Sequence, residues 1–173
     1  MLKELEKASM KIWIAVFAAA FGFAIGHVTP ASAHMETAGK LKIGHPWVRA
    51  TPAGGASTYA CIIEIKNEGD EPETLLGASV EGAGKGVIWQ IIQKDGKFTS
   101  KPVEHGLVIP AHGSLELSPE TYQIRFGKVA KALVEDTTVA GTLEFEKLKS
   151  AKINFAVEAD DTAPKEEPAP AAK

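Results

Sequence analysis

The sequence predicts an all-β fold, a Greek-key barrel or sandwich, and three observations carry that prediction. Short segments rich in β-branched, aromatic and alternating residues recur along the chain. Turn chemistry separates them at Asn67-Glu68-Gly69-Asp70, Lys94-Asp95-Gly96-Lys97 and Pro110-Ala111-His112-Gly113. Beyond residue 33, no segment carries the apolar period of a long helix. Many short strands at such spacing close into a barrel or pack as two sheets.

The first element is a leader. Lys3, Lys7 and Lys11 precede an apolar run from Ile12 to Ile25, and Ala31-Ser32-Ala33 is an A-x-A cleavage site. Residues 1–33 therefore read as a signal peptide, with Met1 or Met10 as initiator and His34 as the first residue after cleavage. The run is shorter than the roughly 20 apolar residues a spanning helix needs, so membrane contact is expected only through the leader before cleavage.

One β domain is expected over residues 34–158. Short pairings near Leu41 to Ile43 and Trp47 to Ala50 open it. Strands follow at Thr58 to Lys66, Thr74 to Val80, Val87 to Gln93, Ser114 to Leu117, Thr121 to Phe126, Thr138 to Glu146 and Lys152 to Glu158. Asp95-Gly96 is a two-residue hairpin signal, returning the chain through Phe98 and Ser100. Period-two alternation puts Val87, Trp89 and Ile91 on one face; it sends Tyr122, Ile124 and Phe126 to the core and turns Gln123 and Arg125 away from it. Gly82-Ala83-Gly84-Lys85-Gly86 reads as a flexible β connection. Residues 159–173, with Pro164, Pro168 and Pro170 among Ala, Glu and Lys, read as a disordered tail.

Charge and motifs exclude several classes. The precursor has a formal charge of −3; removing Lys3, Lys7 and Lys11 with Glu4 and Glu6 brings it to about −4, and most of that lies at the acidic C-terminus. The core is nearly neutral, with no basic block to attract nucleic acid. The single cysteine, Cys61, allows no internal disulfide and sits among apolar neighbours, the setting of a buried inert thiol. The sequence has no G-x-S-x-G elbow, no H-E-x-x-H, no C-x-x-C and no phosphate-cradling loop, so an enzyme is not expected.

Three stretches carry a resemblance: His45-Pro46-Trp47-Val48-Arg49-Ala50-Thr51-Pro52, Leu107-Val108-Ile109-Pro110-Ala111 and Tyr122-Gln123-Ile124-Arg125-Phe126. With these the chain resembles the PCu(A)C family of periplasmic copper chaperones over nearly the whole β domain. The resemblance implies a cupredoxin-like barrel in the periplasm and copper delivery to a cuproprotein or oxidase subunit. It also implies a His and a Met on the Asp95-Gly96 hairpin and a His-x-Met pair on the later strand, donors suited to soft Cu(I). Here the four positions hold Trp89, Ser100, Gln123 and Arg125. Met35 is the one methionine outside the leader, so a two-His, two-Met site cannot be assembled. Two readings of the replaced site stand open. Either Arg125 stacks on Trp89 with Ser100 and Gln123 bonding around it, or Trp89 is core and Arg125 a solvated charge.

Copper by other ligands would involve His34, whose freed α-amine and imidazole chelate Cu(II), with Met35 beside it as a thioether. His105 and His112, in glycine-bearing loops seven residues apart, could add only an adventitious metal site, and His45 is expected to make a structural hydrogen bond. The functional expectation is a copper chaperone-family protein with a degenerate Cu(I) site. The alternative is a metal-free binding module for a protein or small ligand.

Overall fold

The computed structural model describes residues 35–159; the leader, His34 and the segment from residue 160 on lie outside the described residues. Eleven strands and no helix make up the described chain. They are β1 (Met35–Ala38), β2 (Leu41–Arg49), β3 (Thr58–Asn67), β4 (Glu73–Val80), β5 (Gly84–Lys94), β6 (Lys97–Pro102), β7 (Leu107–Ile109), β8 (Ser114–Leu117), β9 (Tyr122–Phe126), β10 (Thr138–Phe145) and β11 (Ser150–Glu158).

Seven of these close on themselves in the order β2, β11, β10, β4, β5, β9, β3, with β3 pairing back to β2. All pairings in this ring are antiparallel except β11 with β2, which run parallel through Ala156 opposite Trp47, Val157 opposite Val48 and Glu158 opposite Arg49. The remaining four strands are attached outside the ring: β1 to β2, β6 to β5, β7 to β4 and β8 to β3. The barrel is filled by large side chains from every wall, among them Phe145, Phe155, Ile62, Leu75, Ile88 and Ile124, all at most 2% exposed.

Two departures from regular alternation shape the outer surface. Ile43 and Val48 both point into the core although they are five residues apart in one strand, and between them His45 has φ of +47°. Opposite, Ile62 and Ile65 are both core, with an irregularity between them in the β3–β8 register. The inward and outward sets exchange at this level, so the second half of β2 turns Trp47 and Arg49 outward. Leu41–Arg49 is one continuous strand across this exchange, where the sequence suggested two short pairings.

Other differences have local causes. β1 and β7 are short, lie outside the ring and have little periodic signal to read. Gly84 and Gly86, expected in a loose connection, belong to β5; a Cβ on Gly86 would lie 2.7 Å from the Phe126 ring, so the strand needs glycine there to pack. The Asp95-Gly96 turn has φ of +52° and +72° at its two residues, as a type I′ hairpin requires, and pairs Lys94 with Lys97.

Candidate functional site

The register set by that turn determines what meets on the barrel wall. Counting back along β5 and forward along β6 places Ser100 opposite Ile91, while β5 and β9 place Trp89 opposite Gln123 and Val87 opposite Arg125. Ile88 and Ile124 are in the core, so Trp89, Gln123 and Arg125 face outward together.

Arg125 organises this cluster. Its guanidinium carbon lies 5.2 Å from the centroid of the Trp89 ring. Nε donates to Oε1 of Gln123 at 3.1 Å, and Nη1 donates to Oγ of Ser100 at 3.0 Å. Gln123 in turn donates through Nε2 to the carbonyl of Pro119 at 2.8 Å, which fixes the amide and explains why a glutamine on the outer face is 8% exposed. The structure thus brings Trp89, Ser100, Gln123 and Arg125 into one contact group.

Chemically the group is a held cation. A guanidinium stays protonated throughout the physiological range, and its flat face stacks on indole while its edge donates hydrogen bonds. The four side chains offer no thiolate, thioether or imidazole to a soft metal ion.

The other candidate ligands are dispersed. Met35 is 60% exposed at the start of β1. His112 Nε2 lies 3.0 Å from Asp70 Oδ1, both largely exposed, in the turn before β8. His105 is exposed in the connection between β6 and β7. Among the described residues, no three His, Cys, Asp or Glu side chains gather as a metal site. His45 bonds through Nε2 to Glu158 Oε1 at 2.6 Å, joining β2 to the last strand. Cys61 is fully buried in β3. Thr58 is also buried and donates to the carbonyl of Arg49.

The face extends beyond what the sequence revealed. Arg49 lies with its guanidinium carbon 5.3 Å from the Tyr59 ring centroid, and Trp47 meets Tyr59 edge-on at 5.7 Å. Tyr59 is opposite Arg125 across β3 and β9. No local signal could have found this half, because it depends on the pairing of strands distant in sequence.

Comparison with known proteins agrees with this architecture. The barrel is similar to a solved structure titled "Copper-bound PCuAC domain from PmoF2", with TM-score 0.60 and 24% identity over 73% of this chain and 99% of that one. It is also similar to "Apo PCuAC domain from PmoF1", with TM-score 0.59, 28% identity, and coverage of 73% and 100%. The solution structure of apo-DR1885 from Deinococcus radiodurans matches with TM-score 0.55 and 21% identity over 78% of this chain and 89% of that one. The fold is therefore the cupredoxin-like barrel of PCu(A)C domains. In sequence, the chain is 27% identical over 120 residues to "Putative lipoprotein Lxx21020" of Leifsonia xyli subsp. xyli, covering 67% of this chain and 69% of the relative. Residues 41–157, from the first core residue of β2 to the last of β11, match the family described as "Putative lipoprotein LpqE-like", and the chain belongs to the LpqE-like family.

Proposed function

We propose that this is an exported, periplasmic protein of the copper-chaperone-like class in which the barrel wall formed by β5, β6 and β9 does not grip Cu(I) and serves as a binding surface. One observation supports this reading: the guanidinium of Arg125 is held by Trp89, Ser100 and Gln123, and these are the four positions to which the PCu(A)C resemblance assigns soft donors. A cuprous ion brought there would face a fixed positive charge and no sulfur or imidazole.

Export rests on the leader, with cleavage after Ala33. The relatives' names speak of lipoproteins; the one cysteine of this sequence, Cys61, is enclosed in β3 and offers no thiol for acylation in the folded domain. Release into the periplasm by cleavage is the reading that fits.

A second reading keeps copper in hand through other ligands. Met35 is exposed at the head of β1 and directly follows His34, whose amine and imidazole become a chelating pair after cleavage. Copper held there would pass to a cuproprotein or oxidase subunit, and binding would weaken below about pH 8 as the amine takes a proton. His105 and His112 would add only adventitious capacity.

Copper titration of the mature protein, with intact mass, separates these readings. Under reducing conditions we expect no stoichiometric tight Cu(I) uptake, and such uptake would refute the first reading. Cu(II) uptake under oxidising conditions that disappears on acetylating the N-terminus would establish the second.

A further inference from the structure

The chain contains two arginines, Arg49 and Arg125, and both lie on one outer face. That face runs across five adjacent strands in the order β5, β9, β3, β2, β11. Ile88, Ile124, Ala60, Val48 and Val157 are in the core, so alternation turns Trp89, Arg125, Tyr59, Arg49 and Glu158 outward across these strands. Each guanidinium rests on an aromatic ring, Arg125 on Trp89 and Arg49 on Tyr59.

Among the described residues, neither arginine is paired with a carboxylate. The ion pairs of the described residues all use lysine or histidine. Arg49 donates from Nη2 to the carbonyl of Ser57 at 3.2 Å, while its Nε is buried with no hydrogen-bond partner among the described residues. Two partly desolvated guanidinium groups on one face attract carboxylates, which can take charge-assisted hydrogen bonds from the N–H donors that Gln123, Ser100 and the Ser57 carbonyl do not use.

One acid of the described residues lies close by in register. Glu158 is in register with Arg49, and its Oε1 is engaged by Nε2 of His45 at 2.6 Å. Beyond Glu158 the sequence continues for fifteen residues with Asp160, Asp161, Glu166 and Glu167 against Lys165 and Lys173. An acidic segment therefore follows the strand that lies beside Arg49, on the face that carries both arginines.

We infer that residues 160–173 dock on this face, placing carboxylates on Arg49 and then on Arg125. The span is short: two strand spacings separate the arginines, about 10 Å, against a rise of about 3.3 Å for each extended residue. The five residue-to-residue steps from Asp161 to Glu166 cover it. Because the segment is tethered, its effective concentration is on the order of millimolar, so contacts too weak to hold a free peptide suffice. The tail would then compete with any acidic partner for the binding surface. This goes beyond the function proposed above and does not require that copper be excluded.

The test compares the mature full-length chain with a full-length variant carrying Asp160→Asn, Asp161→Asn, Glu166→Gln and Glu167→Gln, in buffer containing a copper chelator. Two arginines give two side-chain Nε–Hε cross-peaks, so NMR reads each directly. Both cross-peaks are expected to differ between the proteins at low ionic strength, and the difference is expected to shrink in about 0.5 M salt, where screening is strong. A synthetic peptide of residues 159–173 added to the variant should move its peaks toward the wild-type positions. Superimposable spectra of the two proteins would overturn the proposal, even if an unrelated acidic peptide moved the variant's peaks. Tight Cu(I) uptake in the separate titration would overturn the functional reading and leave this one standing.

Discussion

Arg125 reaches Trp89 diagonally, two residues along β5 from its direct partner Val87, and holds its guanidinium carbon 5.2 Å from the ring centroid. Both side chains are half-buried, so the contact is neither fully screened nor fully desolvated. We expect a coupling of about 0.5 to 2 kcal/mol from a double-mutant cycle of Trp89→Ala and Arg125→Ala in urea unfolding. Arg125→Lys keeps the charge but loses the planar stack and the Nε donor to Gln123, and should retain only part of that coupling. Additive single and double substitutions would mean that the two side chains merely lie side by side.

Glu73 gives the fold an acid-sensitive lock. Its buried carboxylate accepts backbone N–H bonds from Thr74 and Lys147 at Oε1 and from Leu148 at Oε2, each 2.9 Å, and so ties β4 to the β10–β11 turn. Burial pushes the carboxyl up, but the bonds from Lys147, Thr74 and Leu148, with the Lys147 charge, outweigh it and hold the pKa below its ordinary 4.5. A group depressed in the folded state contributes its full stabilisation above the unfolded value and loses it as pH falls through the folded one. Glu73→Gln should therefore destabilise by about 1 to 3 kcal/mol near neutral pH. That difference should narrow as urea unfolding is repeated at increasing acidity below 4.5. A pH-independent difference would assign the effect to packing instead.

How far the sequence could be read depended on the range of the interaction. Ser114 to Leu117 coincides with β8, and the Asp95-Gly96 turn fixes the β5–β6 register that brings Ser100 near Trp89, because both follow from local backbone chemistry. The exchange of faces at His45 and between Ile62 and Ile65 was not legible. Strict period-two reading cannot contain a residue at positive φ in mid-strand. The Arg49 and Tyr59 half of the site was hidden for the same reason that β1 and β7 were: each depends on strands paired across the barrel, and nothing in their own few residues announces the partner.

Two glycines test the distinction between backbone strain and steric exclusion. Gly96 and Gly106 have nearly the same φ, +72° and +74°, but a Cβ on Gly96 would meet nothing within 4 Å while one on Gly106 would lie 2.4 Å from the Leu75 carbonyl. Gly96→Ala should lose about 1 to 2 kcal/mol, the strain of a left-handed alanine. Gly106→Ala adds a collision with the backbone of β4, where Leu107 pairs with Leu75, and should lower the melting temperature distinctly further. Equal losses for the two substitutions would show that β7 shifts freely on β4.

The assignment of the four positions can be tested by building the site that the PCu(A)C resemblance implies. Trp89 and Gln123 are direct partners across β5 and β9, so their Cβ atoms should be about 5 Å apart, and Gln123 and Arg125 share a face one residue removed. Ser100 already meets the end of the Arg125 side chain at 3.0 Å. Trp89→His, Ser100→Met, Gln123→His and Arg125→Met together would exchange the guanidinium and indole for two imidazoles and two thioethers, the donors a cuprous ion prefers. We expect this fourfold variant to take up one equivalent of Cu(I) against a competing chelator under reducing conditions, where the wild type does not. Arg125→Met alone should gain nothing, since removing the cation supplies at most one donor. If the fourfold variant keeps its β-sheet circular dichroism and still fails to compete for Cu(I), the four positions do not correspond to a copper site. The case for a barrel that exchanged a metal for an arginine would then be lost.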